Sequence, residues 1–427
     1  MTEAQTGRPG AFRQRMAIFR NRSFTFFFTG QFISRIGDGL FLLAMVWMMH
    51  SLTNSALQMS LVLIANLIPR IFLNPFSGAL ADRWRKQRTM ISTDLIRAVL
   101  LGLLGTLTLM GTATPLVLIL FSFVLSIFTT LFSTSYMVMQ RRIVDSDQLL
   151  QANSLQQTSQ TLAAIIGPAI AGVLIGIMGT GPAFLIDGAS FILSALTLVF
   201  VHVEEPERSK KPLTAGTLVQ DVKAGAKIVF SYPSLRVLLP SMLLFNFFII
   251  ALENLLLVQF VANVLHRGST IVGLMEASGA LGALVGGLFL SLVTTRLDSD
   301  RLLIACLVVT AVSIALVGLF REIWLVAFLL FIGALAMSFV NITFFTGIQK
   351  AVPSEKLGTV FGMLGTVFNA VTPLSQLVFG GLATWFAADH LITAMGVLGT
   401  LAALVSLFNP ELRKRKVVPT EVPVDTN

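Results

Sequence analysis

Long apolar stretches alternate with short polar breaks from residue 23 to residue 408. Each stretch is long enough to cross a hydrocarbon layer, for which about 20 residues suffice. The pattern predicts helices over 23–50, 56–80, 90–110, 115–139, 153–178, 182–202, 236–264, 269–293, 302–320, 323–348, 358–383 and 389–408. A soluble helix keeps a polar face, and most of these stretches have none, so a single large soluble core is excluded. The predicted fold class is an all-α membrane protein of about twelve transmembrane helices.

Charge adds a direction. Charged residues make up only 12% of the chain, against about 25% in soluble domains, and they cluster in the breaks. The breaks on one side are short and nearly neutral, as at 111–114 and 179–181, whereas those on the other side are basic. The N-tail, alternate loops and C-tail hold 25 of the 30 Lys and Arg residues; Arg267 and Arg321 fall on the opposite face. This bias places both termini in the cytoplasm, in keeping with an even number of helices. It also accounts for the net charge of +9 without nucleic acid as a partner. Arg13, Arg15, Arg20 and Arg22 precede the first apolar stretch, which suits an uncleaved first helix rather than a signal peptide. The single cysteine, Cys306, permits no intrachain disulfide. The four histidines are scattered singly, with no metal-ligand spacing. No metal and no cofactor are expected.

The longest break, 203–232, is highly charged at its start and then sets Leu218, Val222, Ala226 and Val229 along one side. That spacing predicts an amphipathic helix at the cytoplasmic interface. The expected organisation is a six-helix half over 1–202, this linker over 203–232, a second six-helix half over 233–409 and a cytoplasmic tail over 410–427. The halves echo each other. Arg83 and Arg88 recur as Arg296 and Arg301, both 213 residues later, and Gln140 recurs as Gln349. Gly167-Pro168 recurs as Thr372-Pro373, 205 residues later. A steady offset predicts two pseudo-symmetric halves, which in such proteins enclose a midplane cavity and rock around it.

Three groups of residues carry candidate chemistry. The first is the run from Gly78 through Asp82, Arg83 and Lys86 to Arg88, between the second and third predicted helices. Gly78 permits close packing, Asp82 can accept from exposed amides at a helix N-terminus, and the cations can hold carboxylates or lipid phosphates. This reads as a cytoplasmic latch, supported by Asp94 and Arg97 on one face of the third helix; the alternative is an ordinary basic loop. The second group is the ionisable residues inside apolar stretches, which cost about 2.5–3.5 kcal/mol to insert and so have partners or functions. Arg35 and Asp38 share a face, and Arg35 and Arg70 both lie roughly 18 Å deep at about 1.5 Å per residue. An Arg35–Asp38–Arg70 cluster is expected near the midplane, either coupling protons or pinning two helices together. Glu253 and Glu276 have no cation evident at their depth, which suits proton carriers that load from outside; a hydrated vestibule is the alternative for Glu276. Asp187, near the outer end of its helix, reads as structural or solvated. The third group is the polar positions Gln157, Gln160, Asn341, Asn369 and Gln376, candidates for a cargo cavity or for interhelical hydrogen bonds. Gly279, Gly282 and Gly286 read as close-packing positions.

The latch segment resembles the cytoplasmic loop signature of the major facilitator superfamily, with Arg85 where that pattern normally has Gly. Gly167, Pro168 and Gly172, flanked by Ala163 and Ala171 in place of glycines, are similar to the superfamily's antiporter motif. The arginine that many of its drug exporters carry mid-way along the fourth helix is absent. Asn21-Arg-Ser-Phe, Ser34-Arg35-Ile-Gly37-Asp38, Leu52-Thr-Asn-Ser55-Ala56, Pro69-Arg70 and Thr93-Asp94-Leu-Ile-Arg97 resemble the macrolide-efflux and enterobactin-exporter branch. The resemblance implies export of a small, amphipathic molecule across the cytoplasmic membrane in exchange for protons, by a monomer embedded in membrane lipid.

Other functions fit less well. No Gly-x-x-x-x-Gly-Lys-Ser/Thr loop occurs for a nucleotide-driven pump. No converging His, Asp, Ser or Cys groups suggest an enzyme, and no charged ring suggests a channel. A sensor would have little outer surface to work with. A lipid or lysolipid translocator and a solute importer of the same fold remain as alternatives within transport.

Overall fold

The computed structural model describes residues 17–83, 85–145, 148–203, 233–293, 300–352 and 354–407. Among these the regular structure is entirely helical, and twelve helices are long and apolar enough to cross a membrane. They are α1 (Arg22–Thr53), α2 (Ala56–Arg83), α3 (Lys86–Leu109), α4 (Pro115–Ile143), α5 (Leu149–Met178), α6 (Thr180–Val199), α7 (233–264), α8 (Ser269–Val293), α9 (Asp300–Leu319), α10 (Ile323–Ala351), α11 (Ser354–Leu382) and α12 (Ala388–Leu407). Inside lipid every backbone amide needs an internal partner, so a helix is the economical solution for each apolar run.

The short connections are built by residues that tolerate a left-handed backbone. Asn54 (φ 47°) turns α1 into α2, Gly111 (φ 70°) lies between α3 and α4, Gly179 (φ 83°) joins α5 to α6, and His266 (φ 53°) lies between α7 and α8. Asn and Gly populate that region at low cost. Thr114 then caps α4, its side chain accepting from the Val117 amide at 3.4 Å, with Pro115 in the first turn.

Several helices begin earlier than hydropathy indicates. α3 starts at Lys86 rather than residue 90, and α5 at Leu149 rather than 153. The residues added to α3, Lys86 to Thr89, are polar and fall outside an apolar window, yet they continue the hydrogen-bond ladder. α7 holds a different surprise. It is α-helical over Pro233–Ala251, π-helical over Leu252–Leu256, α-helical over Leu257–Gln259 and π-helical again over Phe260–Val264.

The chain divides into two compact units, one drawn from Met1–Met45 and Ala65–Leu213, the other from Val46–Ile64 and Thr214–Asn427. In the first, α3 packs most extensively against α6 and also against α4. In the second, α9 packs against α12 and α10, the same pairing six helices later. The first unit's core gathers Phe24, Phe27, Met90, Tyr136, Met139 and Leu198. The second centres on Met242, Phe245, Leu307, Val340, Phe344 and Met363. Apolar side chains on the outer surface, such as Val99, Leu116, Ile177, Trp324 and Val405, are exposed, as lipid-facing residues must be. Gly282 and Gly286 lie against α10, where an added Cβ would come within 2.1 Å of the Phe331 carbonyl oxygen and 2.6 Å of that of Leu335. Gly279 faces open space and is not a packing position.

The expected interfacial helix after residue 203 lies outside the described residues, as do the tail and Arg296. Gly78, Asp82 and Arg83 fall within α2, but their side chains are outside the description. Lys86 is buried in the first turn of α3.

Candidate functional site

The first unit holds a connected set of polar side chains on α1, α3 and α6. Arg97 pairs with Asp94 one turn earlier on α3. The other Asp94 oxygen, Oδ2, accepts from Ser194 Oγ of α6 at 2.7 Å, and Ser194 Oγ accepts from Gln31 Nε2 of α1 at 2.9 Å. All four residues are buried. The Arg97 guanidinium also lies between two rings, its Cζ 4.5 Å from the centroid of Phe132 on α4 and 4.0 Å from that of Phe191 on α6. Desolvating both charges is expensive, and the hydrogen bonds and ring faces offset part of that cost. Asp94 and Arg97 therefore find their described partners on α6 and α4; the side chains of Gly78–Arg83, which they are expected to support, lie outside the description.

Asp38 stands apart from this network. Asp38 is exposed on α1. The cations whose charges act on it are Arg97, Arg70 and Arg35. The sequence reading grouped Asp38 with Arg35 and Arg70 and missed Arg97. Arg35 points its hydrogen bonds toward α5, donating to the Gln156 carbonyl at 3.4 Å and to Ser159 Oγ at 3.3 Å, while its Cζ lies 5.3 Å from the Tyr136 ring centroid. Arg70 is exposed on α2.

Asp38 is flanked by two glycines that set helix spacing. At Gly39 an added Cβ would lie 3.0 Å from the Gly167 Cα and 3.5 Å from Pro168 Cδ. At Gly167 it would lie 3.2 Å from the Gly39 Cα and from the Ile36 carbonyl oxygen. The antiporter-like segment is thus the surface on which α1 crosses α5, one residue from Asp38. At Gly37 an added Cβ would meet Asp187 Oδ1 at 2.2 Å and Ser190 Oγ at 2.5 Å, so α6 touches α1 on the other side. Gly172 is buried one turn beyond the crossing. Gln157 and Gln160 are exposed on α5.

The second unit carries Glu253 on the first π-segment of α7 and Glu276 on α8. Glu253 is exposed and Glu276 half-buried, although helices surround both. The charge that acts on Glu276 is that of Glu253; among the described residues no cation pairs with either. Asn369 is exposed on α11 and Asn341 half-buried on α10. Gln376 is buried, and its Oε1 lacks a hydrogen-bond partner among the described residues. Beside it, Ser375 Oγ donates to the Phe247 carbonyl of α7 at 2.5 Å, and Asn246 Oδ1 is a second orphaned acceptor. Sequence reasoning passed over Asn246, Gln31, Ser159 and Ser194. A polar stripe at Asp187, Ser190 and Ser194, spaced i, i+3 and i+7 on α6, was the available signal for that face. Near the α9–α10 connection, Arg321 Nη2 meets Asp389 Oδ2 at 2.5 Å. Among the described residues no cluster of ligating side chains could hold a metal.

Comparison with known proteins bears on this architecture. A family model described as transmembrane secretion effector, MFS_3, matches residues 14–422. Macrolide efflux protein A of Streptococcus pyogenes is 22% identical over 391 residues, covering 90% of this chain and 95% of the relative. The multidrug efflux pump Tap of Mycolicibacterium fortuitum is 21% identical over 385 residues, covering 88% and 93%. Among solved structures, the nucleoside transporter NupG superposes with a TM-score of 0.70 at 15% identity, covering 92% of this chain and 100% of that one. A bacterial homologue of the iron transporter ferroportin, in an inward-facing state, gives 0.68 at 14% identity, covering 91% and 99%.

Proposed function

Because the chain belongs to the transmembrane secretion effector family of major facilitator superfamily transporters, we propose that it exports a small amphipathic molecule in exchange for protons. It is a multi-pass transporter of the cytoplasmic membrane, not an enzyme. The cargo class in this reading is drug-, macrolide- or siderophore-like, in line with the efflux names of relatives that align along nearly their whole length. Transport proceeds by alternating access, with both termini in the cytoplasm, by a monomer in lipid.

The observation that carries the proton part is the setting of Asp38. An accessible carboxylate lies within reach of the charges of three arginines, one residue from the glycine crossing of α1 and α5. An ionisable group at such depth needs either a fixed partner or a task, and Asp38 is open rather than locked in an ion pair like that of Asp94. Rearrangement of the crossing changes which cations face Asp38 and hence whether it holds a proton. Glu253 and Glu276 supply a second acidic locus without a described cation. Gln157 and Gln160 in the first unit and, separately, Asn341 and Asn369 in the second are polar groups available to hydrogen-bond cargo.

The test is ethidium and radiolabelled erythromycin transport in inverted vesicles containing the chain. An inward-acid proton gradient is expected to drive accumulation of at least one probe, and a protonophore to abolish it. Accumulation that persists after the gradient collapses removes proton coupling. Cargo movement in the opposite sense would establish an importer.

A further inference from the structure

Asp187 is a buried acid that this mechanism does not use. Its side chain on α6 is fully enclosed, at 0% exposure. Oδ1 accepts from Ser190 Oγ at 3.2 Å, whereas Oδ2 has no hydrogen-bond partner among the described residues. The groups whose charges reach it are Asp38 on α1 and Arg97 on α3. Arg97 is already bound to Asp94 and held between Phe132 and Phe191. Asp94 in turn is occupied by Ser194. Asp187 therefore lies against the α1 backbone at Gly37, one residue from Asp38, and has no ion pair of its own among the described residues.

We propose that Asp187 is a second proton-binding site, sharing the transported proton with Asp38 across the α1–α6 contact. The proposal rests on the proton-antiport reading and extends it from one acid to a pair. A buried carboxylate oxygen without a donor is costly. A proton on Oδ2 neutralises the group and replaces an unmet acceptor with a hydroxyl. Asp38, the accessible member, exchanges protons with water; Asp187, the enclosed member, stores one out of its reach. Two acids that feel each other's charge titrate as a pair, so the arginines around Asp38 also govern Asp187. Movement of α1 relative to α6 alters the separation across Gly37 and with it the sharing. No bond other than O–H forms or breaks, and no redox partner is needed.

The experiment uses the full chain in proteoliposomes, with ethidium as the probe, or erythromycin if that is the probe that accumulates. Two quantities are read: accumulation driven by a pH gradient, as a function of pH, and exchange of labelled for unlabelled probe without a gradient. D187N is expected to lose gradient-driven accumulation by about tenfold or more, the scale of a coupling between two sites. Its exchange is expected to fall far less. S190A, which removes the hydrogen bond to Oδ1, is expected to keep the coupling but shift the pH profile of accumulation. D187N with wild-type gradient-driven accumulation and pH profile overturns the proposal. Should D187N fail to yield a monodisperse protein, S190A decides: an unshifted profile overturns it. Wild-type protein that shows exchange but no gradient-driven accumulation of either probe overturns the antiport reading itself, and the proposal with it.

Discussion

Arg97 illustrates how one side chain is fixed by several weak claims. It neutralises Asp94, stacks on Phe132 and Phe191, and adds its charge to the field at Asp38. Replacing one member of a buried pair strands the other, at a cost of about 3–5 kcal/mol. R97A should therefore lower the thermal midpoint in detergent markedly. The double variant R97M/D94L, which removes both charges, should recover much of that loss; a double variant as unstable as R97A would show that the loss comes from Arg97's contacts with Phe132 and Phe191 rather than from a stranded Asp94. Asp38, Glu253 and Glu276 were legible in the sequence because an isolated acid in an apolar run is conspicuous. Asp187 reads from the sequence as structural or solvated, and its full burial excludes the second. Only seven residues separate it from the start of α6 at Thr180, so it reads as an end-of-helix group. Burial against α1 is a matter of packing, which distance along one helix does not report.

The crossing of α1 and α5 is the element on which the site depends. Gly39 and Gly167 bring the two backbones together where any larger side chain must push them apart. Overpacking of a tight contact costs typically about 1–3 kcal/mol. G167V is expected to destabilise the protein by that order and to reduce transport at least as strongly, because α1 carries Asp38 beside the crossing; thermal unfolding and probe efflux measured on the same preparation give both numbers. A variant with normal efflux and a lowered midpoint would confine Gly167 to packing. The motif was visible in the sequence at Gly167-Pro168, but its contact with Gly39 was not, since nothing in either segment names the other. Twelve helices could be read from hydropathy because lipid imposes a fixed length on each. Their polar ends could not, since hydropathy ignores a ladder of hydrogen bonds that continues into the interface.

At the level of the whole molecule, the strongest proposal is orientation. The 25-to-2 distribution of cations is the kind of bias that fixes topology. A fluorescent protein fused after Asn427 should be bright in intact cells, and alkaline phosphatase at the same place inactive. The reverse pair of results would place the C-terminus outside and exchange export for import. Sequence reasoning divided the chain near residue 202, in the long charged linker. By its contacts Val46–Ile64 belongs with the second compact unit, a division that the sequence does not suggest. There an added Cβ at Gly380 of α11 would lie 2.4 Å from Ser60 Oγ, and Gln259 of α7 meets Met59 Sδ at 3.0 Å. Contacts of that sort join residues some 200 or more positions apart and leave no periodic trace.

The two π-segments of α7 have a consequence for comparing the halves. A π-turn closes from i to i+5 and so holds one residue more than an α-turn. α7 is therefore longer in sequence than in space, whereas its counterpart α1 is α-helical from Arg22 to Thr53. Any gapless pairing of the two helices drifts out of phase after Leu252, setting inward positions of one against lipid-facing positions of the other. Glu253 lies within the first of these segments, so its phase against the matching stretch of α1 is shifted.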